Sequence, residues 1–204
     1  MENTSNSVLL CGELQDKPQF THENRGRRYF RFSLEVPRLS GTVDTLPVVA
    51  SEALLETLDL SGGGMLRVSG TLRSHNVHCD GTRRLLVFLY ASCLEACDAP
   101  PENQVHLVGT VCKPPSFRKT PLGREICDMM LAVSRQYQRS DYLPCILWGR
   151  TARSLADCQT GSRIALDGRL QSRDYIKQTE TGPLHRRTYE VSALSASHAP
   201  PLEP

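Results

Sequence analysis

The chain has 204 residues, 39% of them hydrophobic and 23% charged, with a formal net charge of +2 at pH 7. That length suits two compact domains, each able to bury a core. No apolar run approaches the roughly 20 residues of a membrane-spanning helix. The N-terminal MENTSNSVLL has neither a basic start nor a long apolar stretch, so no leader is expected and the protein is read as cytoplasmic, with no membrane partner. The near-neutral total conceals a split. Residues 1–100 hold 10 Lys+Arg against 12 Asp+Glu, and residues 101–204 hold 14 against 10. A polyanion, if one binds, is expected mainly on the basic second half.

The first predicted strand, Asn6-Ser-Val-Leu-Leu-Cys-Gly12, returns as Asn103-Gln-Val-His-Leu-Val-Gly109, a register of 97. That register holds through Phe20/Phe117, Leu34-Glu-Val36/Leu131-Ala-Val133 and Asp44-Thr-Leu46-Pro47/Asp141-Tyr-Leu143-Pro144. It then slips by one, so that Gly70-Thr-Leu-Arg-Ser74 meets Gly168-Arg-Leu-Gln-Ser172. One unit of about 100 residues therefore occurs twice, a domain duplication and not a solenoid.

Within unit one, Phe30, Phe32, Leu34 and Val36 read as the inward positions of strand two. Leu46, Val48 and Ala50 do the same in strand three, and a short helix is expected through Leu55 and Leu58. Ala99-Pro-Pro-Glu102 reads as the linker, dividing a first domain at 1–98 from a second at 103–195. In unit two, residues 104–111 form strand one. A turn-rich segment containing Pro114-Pro115 leads through Gly123 to strand two near 124–135, with Cys127, Met129, Leu131 and Val133 inward. Tyr142–Trp148 makes strand three, and a helix is expected to run to about Cys158 before Gly161 stops it. Strand four carries Ile164, Leu166 and Leu170. A polar, Gly-containing stretch through Gly182 closes a long hairpin to strand five near 187–194, and the remainder, 196–204, is expected to be a disordered tail.

Five short strands with one helix between the third and fourth describe an OB-fold barrel, so the fold class is all-β with two OB barrels in tandem. Gly12, Gly109, Gly70 and Gly168 fit bends or bulges that close such a barrel. Pro47 and Pro144 each cost a ladder donor, and are expected at a bulge or facing an unpaired edge.

Eight cysteines lie scattered with no CxxC, and several fall within apolar strands. They read as small buried hydrophobes in a reducing compartment. His75-x-x-His78-Cys79 falls at an expected hairpin tip before Asp80-Gly81 and is not read as a metal site. Gly62-Gly-Gly64 lacks the Lys and Ser/Thr of a phosphate loop. No nucleophile, base and orienter stand together, so neither an enzyme nor a cofactor site is expected.

The two copies serve as each other's control. Leu46, Val48 and Ala50 stay apolar as Leu143, Cys145 and Leu147. On the opposite face Tyr142 and Trp148 face Thr45 and Ser51 in unit one, Tyr137 faces Ser40, and Tyr175 faces Val77. Six residues separate Tyr142 from Trp148, so a regular strand projects both from one face. Cations surround the rings: Arg135 and Arg139 flank Tyr137, Arg150 follows Trp148, and Arg173 and Lys177 bracket Tyr175. Rings among cations suit single-stranded nucleic acid, because unpaired bases stack while Arg and Lys neutralise phosphates. A protein interface is the competing reading of the same surface.

The stretches Asn103-x-Val-x-Leu-x-Gly109, Asp141-Tyr-Leu-Pro-Cys-Ile-Leu-Trp-Gly-Arg-Thr-Ala152, Ile164-x-Leu-Asp-Gly-Arg-Leu-Gln-Ser-Arg-Asp-Tyr175 and Arg187-Thr-Tyr-Glu-Val191 resemble the bacterial single-stranded DNA-binding protein family over nearly all of unit two. The resemblance implies stacking by Tyr137, Tyr142, Trp148 and Tyr175, with Arg150, Arg173 and Arg118 among the phosphate contacts, and Arg124 is expected to join the strand-binding residues. It implies DNA as the strand bound, although stacking and phosphate contacts leave RNA open. It also implies a homodimer of two-domain chains giving four barrels, in the cytoplasm on the nucleoid. The family's acidic, Phe-tipped tail has no counterpart in Ala199-Pro-Pro-Leu-Glu-Pro204, so recruitment of replication enzymes by that route is not expected. Unit one shares only the framework and is expected to pair barrels or to assist through Arg25, Arg27, Arg28 and Arg31. Two alternatives stand beside DNA protection in replication, recombination or repair. One is a primosomal accessory protein of the same fold that docks a helicase or restart factor. The other is an OB assembly protein that binds no nucleic acid.

Overall fold

The computed structural model describes residues 5–60, 63–79, 82–179 and 182–200. Its elements, in chain order, are β1 (Asn6–Leu14), β2 (Gln19–Asn24), β3 (Arg27–Pro37), β4 (Val43–Ser51), α1 (Glu52–Leu55), β5 (Met65–Cys79) and β6 (Thr82–Ala96) in unit one. Unit two repeats them as β7 (Glu102–Val111), β8 (Ser116–Lys119), β9 (Glu125–Ser134), β10 (Ser140–Trp148), α2 (Gly149–Ser154), β11 (Arg163–Thr179) and β12 (Gly182–His198). Five strands of each unit make the expected barrel. In unit one β1 pairs with both β3 and β5, β3 with β4, and β5 with β6, and the barrel closes through a parallel contact of β4 with β6 at Val48↔Leu89 and Val49↔Tyr90. Unit two closes the same way at Cys145↔Val191 and Ile146↔Ser192.

Inward residues follow the period-two pattern. Leu46, Val48 and Ala50 are fully buried, as are Leu143 and Leu147, with Cys145 close behind. Phe32, Leu34 and Val36 are buried as expected. Phe30 is only half-buried, because its ring meets Phe20 edge-on across the β2–β3 hairpin.

The glycines stand where the walls of the barrel come too close for a side chain. A Cβ on Gly70 would lie 2.0 Å from the carbonyl oxygen of Tyr90, and one on Gly168 would lie 2.3 Å from that of Ser192. The β5/β6 and β11/β12 registers slip at these points, so both glycines sit at bulges. Gly12 and Gly109 allow β1 and β7 to approach β3 and β9 with similar intimacy. Each proline stands one residue before its strand begins the closing parallel pair, at the seam where a ladder donor is not needed.

The structure differs from the sequence reading in four places. The segments read as turn-rich contain short outer strands, β2 and β8, folded back on β3 and β9. The helices are shorter than expected, ending at Leu55 and Ser154, with turns carrying the chain onward. The expected long hairpin is ladder throughout, down to Thr179↔Gly182, so strand five begins at Gly182 and not near 187, giving two 17-residue strands. Finally, the start of the expected tail is strand: Ala196, Ser197 and His198 pair with Leu166, Ala165 and Ile164. This extension follows from β11, a partner strand already in place, whose ladder the small and polar residues continue. Residues 201–204 of that expected tail, and the Asp80-Gly81 tip, lie outside the described residues.

The units join edge to edge. β1 pairs antiparallel with β7 from Asn6↔Leu107 to Cys11↔Glu102, linking both barrels in one twelve-stranded sheet among the described residues. Around this seam the duplication generates a pseudo-dyad. Asp44, fully buried, accepts the Ser172 backbone N–H at 2.7 Å, and Asp141, fully buried, accepts that of Ser74 at 2.7 Å. Inside each unit the repeated asparagine does the same kind of work. Asn6 exchanges two hydrogen bonds with the backbone of Leu72, as Asn103 does with Leu170.

Candidate nucleic-acid interface

β10 alternates Leu143, Cys145 and Leu147 inward, which leaves Tyr142 and Trp148 at the two ends of its outer face. Along an extended strand six residues span about 20 Å, several stacked bases in length. Trp148 is held by its edge: Nε1 donates to Ser192 Oγ at 3.0 Å while 36% of the residue stays exposed. Tyr142 is 47% exposed, and its backbone N–H donates to Ser74 Oγ of the other unit at 2.7 Å. Tyr175, 43% exposed, rides on the β11–β12 hairpin opposite Arg186. Tyr137 is 89% exposed at a 3-10 turn (Gln136–Gln138), where its φ of 61° puts a non-glycine residue in the left-handed region. None of the four rings belongs to the hydrophobic core.

The hairpin carrying Tyr175 is pinned by a forked ion pair, Arg187 to Asp174 at 2.7 and 3.0 Å. That contact holds the Asp174 carboxyl below its ordinary range and raises the Arg187 guanidinium, so both stay charged at neutral pH. The expected cations are not equivalent. Arg150, Arg124 and Arg139 are exposed and make no carboxylate contact among the described residues. Arg118 pairs with Asp128 at 2.8 Å, and Arg173 lies 3.6 Å from Glu190, so each comes with a competing anion. Arg135 leans toward Asp141 at 3.5 Å. The side chain of Lys177 lies outside the described residues.

The expected residues also divide in space. Tyr142, Trp148, Tyr175, Arg150 and Arg173 belong to the β10–β12 wall and hairpin of unit two. Arg118 and Arg124 belong to its β8–β9 hairpin. Arg135, Tyr137 and Arg139, from the β9–β10 turn, instead line a groove over unit one, whose volume is about 1190 Å³. A position-by-position comparison also missed rings. Phe20 and Phe117, matched in the two copies, are both exposed on the outer strands β2 and β8. On β6, Phe88 and Tyr90 alternate outward against inward Val87, Leu89 and Ala91, a pattern legible in the sequence.

Residues 102–198 match the single-strand binding protein family. Over 80 residues the chain is 40% identical to single-stranded DNA-binding protein B of Bacillus subtilis (strain 168), covering 36% of this chain and 71% of that one. It is 37% identical over 83 residues to single-stranded DNA-binding protein A of the same organism, covering 37% of this chain and 48% of that protein. The chain belongs to the single-strand binding protein family. Both expected platforms, Tyr142 with Trp148 and Tyr175 on its hairpin, fall inside the matched segment, and unit one falls outside it. The wild-type single-stranded DNA binding protein of Thermus aquaticus superimposes with a TM-score of 0.76 over 98% of this chain and 94% of that one, at 22% identity. That likeness extends the family's fold across both units. Unit one therefore shares the architecture while lying outside the segment matched to the family.

Proposed function

We propose that this protein binds single-stranded DNA with little regard to sequence and shields it during replication, recombination or repair, without catalysis of its own. The observation that carries the reading is the exposure of Tyr142, Trp148 and Tyr175 on the second barrel, with Arg150, exposed and without a carboxylate partner among the described residues, two positions after Trp148. Stacking contributes about 1 to 3 kcal/mol per base, so three or four rings supply about 3 to 12 kcal/mol gross. A micromolar complex needs about 8. Duplex DNA hides its base faces from such rings, so single strands are favoured.

The relatives named above are described as single-stranded DNA-binding proteins, which supports DNA over RNA as the ligand. Cytoplasmic location on the nucleoid and pairing of two chains to give four barrels complete the proposal. No described helix is long and apolar enough to cross a membrane.

Trp148 is the only tryptophan, so its fluorescence reports on the second barrel alone. Titration with oligothymidine is expected to quench it, with affinity falling as salt rises at a log–log slope of about −0.7 per phosphate contacted. An unquenched tryptophan, or binding indifferent to salt, would exclude this function in favour of a protein-docking surface.

A further inference from the structure

The cysteines read from the sequence as small buried hydrophobes, and Cys127 and Cys145 are that, packed into the core. Cys11 is placed differently. Leu10 on β1 points into the core, so the next residue points out of the barrel, yet Cys11 is fully buried and stands outside the hydrophobic cluster. The linker covers it. Cys11 Sγ lies 3.1 Å from the Sγ of Cys97, just past the end of β6, and 3.7 Å from the Ala99 carbonyl oxygen. Two thiols 86 positions apart in the chain are therefore in direct contact.

The partners differ in freedom. Cys11 is fixed in mid-strand, paired with Arg67 of β5 on one side and with Glu102 of β7 on the other. Cys97 has left the ladder with one backbone bond, its N–H to the Met65 carbonyl at 3.0 Å, and the chain beyond it runs without a strand to Glu102. Bonded sulfur atoms stand about 2.05 Å apart, so closure from 3.1 Å asks for a shift of about 1 Å, which the linker end can supply. Burial, followed by the hydrogen bond and charge of Cys97, pushes the Cys11 thiol up to about 11, and the Arg67 guanidinium opposes them. Arg67 faces Cys11 across the β1–β5 ladder, and its Nε is buried without a hydrogen-bond partner among the described residues. Half-buried Cys97 is thus the group that a small oxidant meets first.

Unit two supplies the control. The N–H of Ala199 donates to the Arg163 carbonyl as that of Cys97 does to Met65, and Val108 stands where Cys11 stands. The same two places in the fold are filled there without a thiol, so packing requires cysteine at neither. Both occur together in the unit whose end leads into the linker.

We propose that Cys11 and Cys97 form a reversible disulfide that staples the inter-barrel linker to β1, a redox-sensitive modification site at the crossing between the two units. The oxidant is a small-molecule disulfide. The Cys97 thiolate attacks it, forming a mixed disulfide and releasing one thiol. The Cys11 thiolate then attacks Cys97 Sγ and expels the second. Two protein thiols are oxidised, one small disulfide is reduced to two thiols, and the two protons lost by the protein end on them. The bond encloses residues 11–97, nearly all of unit one, and so restricts the unfolded chain of that unit. The inference is independent of strand binding.

The test treats the full chain with oxidised glutathione at neutral pH, and with dithiothreitol as the reverse step. Mass spectrometry of the intact protein is expected to show the loss of two hydrogens per chain, and a digest without reductant to join the peptide holding Cys11 to that holding Cys97. Oxidation is expected to raise the urea midpoint by about 1 M or more, and dithiothreitol to restore it. Cys11→Val with Cys97→Ala, the pair unit two already uses, is expected to unfold like the reduced parent and to show neither the mass loss nor the midpoint shift. A parent chain that stops at glutathione on Cys97, or whose bridge joins Cys97 to exposed Cys93, would overturn the proposal. A midpoint that moves equally in the double variant would do the same.

Discussion

The two units differ least where the chain must fold and most where it meets solvent, but the difference is a relocation as well as a loss. Gly70 and Gly168, Asn6 and Asn103, and Asp44 and Asp141 occupy the same bulges and make the same backbone contacts in both copies. The outer faces have diverged by exchange: Trp148 with Ser192 in one unit, Ser51 with Tyr90 in the other. A ring on the outside of a barrel can be supplied from either of two adjacent strands, because both project into the same surface. A buried carboxylate that must meet one particular N–H has no such freedom. The pair of units thus separates requirements of position from requirements of chemistry.

The carboxylates at the seam give that contrast its largest measurable effect. Asp44 takes two arginine N–H groups at 2.6 Å from Arg38 and the Ser172 N–H at 2.7 Å. Asp44→Ala strands Arg38 and a buried donor, and is expected to cost about 3 to 5 kcal/mol in urea denaturation of the full chain. Asp141 meets its arginines only at 3.3 and 3.5 Å, so Asp141→Ala is expected to cost less than Asp44→Ala. Equal losses would show that the seam is energetically symmetric despite its geometry.

Next come the bulge glycines. A methyl group at Gly70 or Gly168 meets a carbonyl oxygen at 2.0 or 2.3 Å, so backbone must move. Gly70→Ala and Gly168→Ala are each expected to destabilise by about 3 kcal/mol, the upper range for overpacking, again read by urea denaturation. A tolerated substitution in one unit alone would mean that its bulge is not needed for closure.

Among the surface rings, Trp148→Ala and Tyr175→Ala are each expected to remove about 1 to 3 kcal/mol of single-strand affinity, measured by fluorescence anisotropy of a labelled oligothymidine, with little change in melting temperature. Ser51→Ala at the matching position of unit one is expected to change affinity hardly at all. An equal loss at Ser51 would break the assignment of stacking to Trp148's end of the strand.

Much of this was legible in the sequence, and what was not has physical reasons. Period-two alternation revealed the barrel strands and placed Tyr142 and Trp148 outside, because strand geometry fixes which face a residue takes. The glycine spacing revealed the bulges. The outer strands β2 and β8 escaped because four to six exposed residues carry no burial alternation at all. The extension of β12 to His198 escaped because small and polar residues there are ordered by a partner strand and not by their own pattern. The groove over unit one escaped for a different reason. Net charge counts residues without their positions, and aligning the copies looks for a ring only where its counterpart stands.

The smallest effect concerns a thiol. Cys145 occupies in unit two the place of Val48 in unit one, fully inside the barrel, with only a long contact from Sγ to the Leu143 carbonyl at 3.5 Å. Burial pushes this thiol far above its ordinary range, so it is no nucleophile at neutral pH. If it serves only as a small apolar group, Cys145→Val restores what the other copy already uses and is expected to shift stability by less than about 1.5 kcal/mol. Exposed Cys93 is expected to react with iodoacetamide in the folded protein, whereas Cys145 reacts only after unfolding. A large loss of stability in the valine variant would mean that the two barrels do not pack alike at this position.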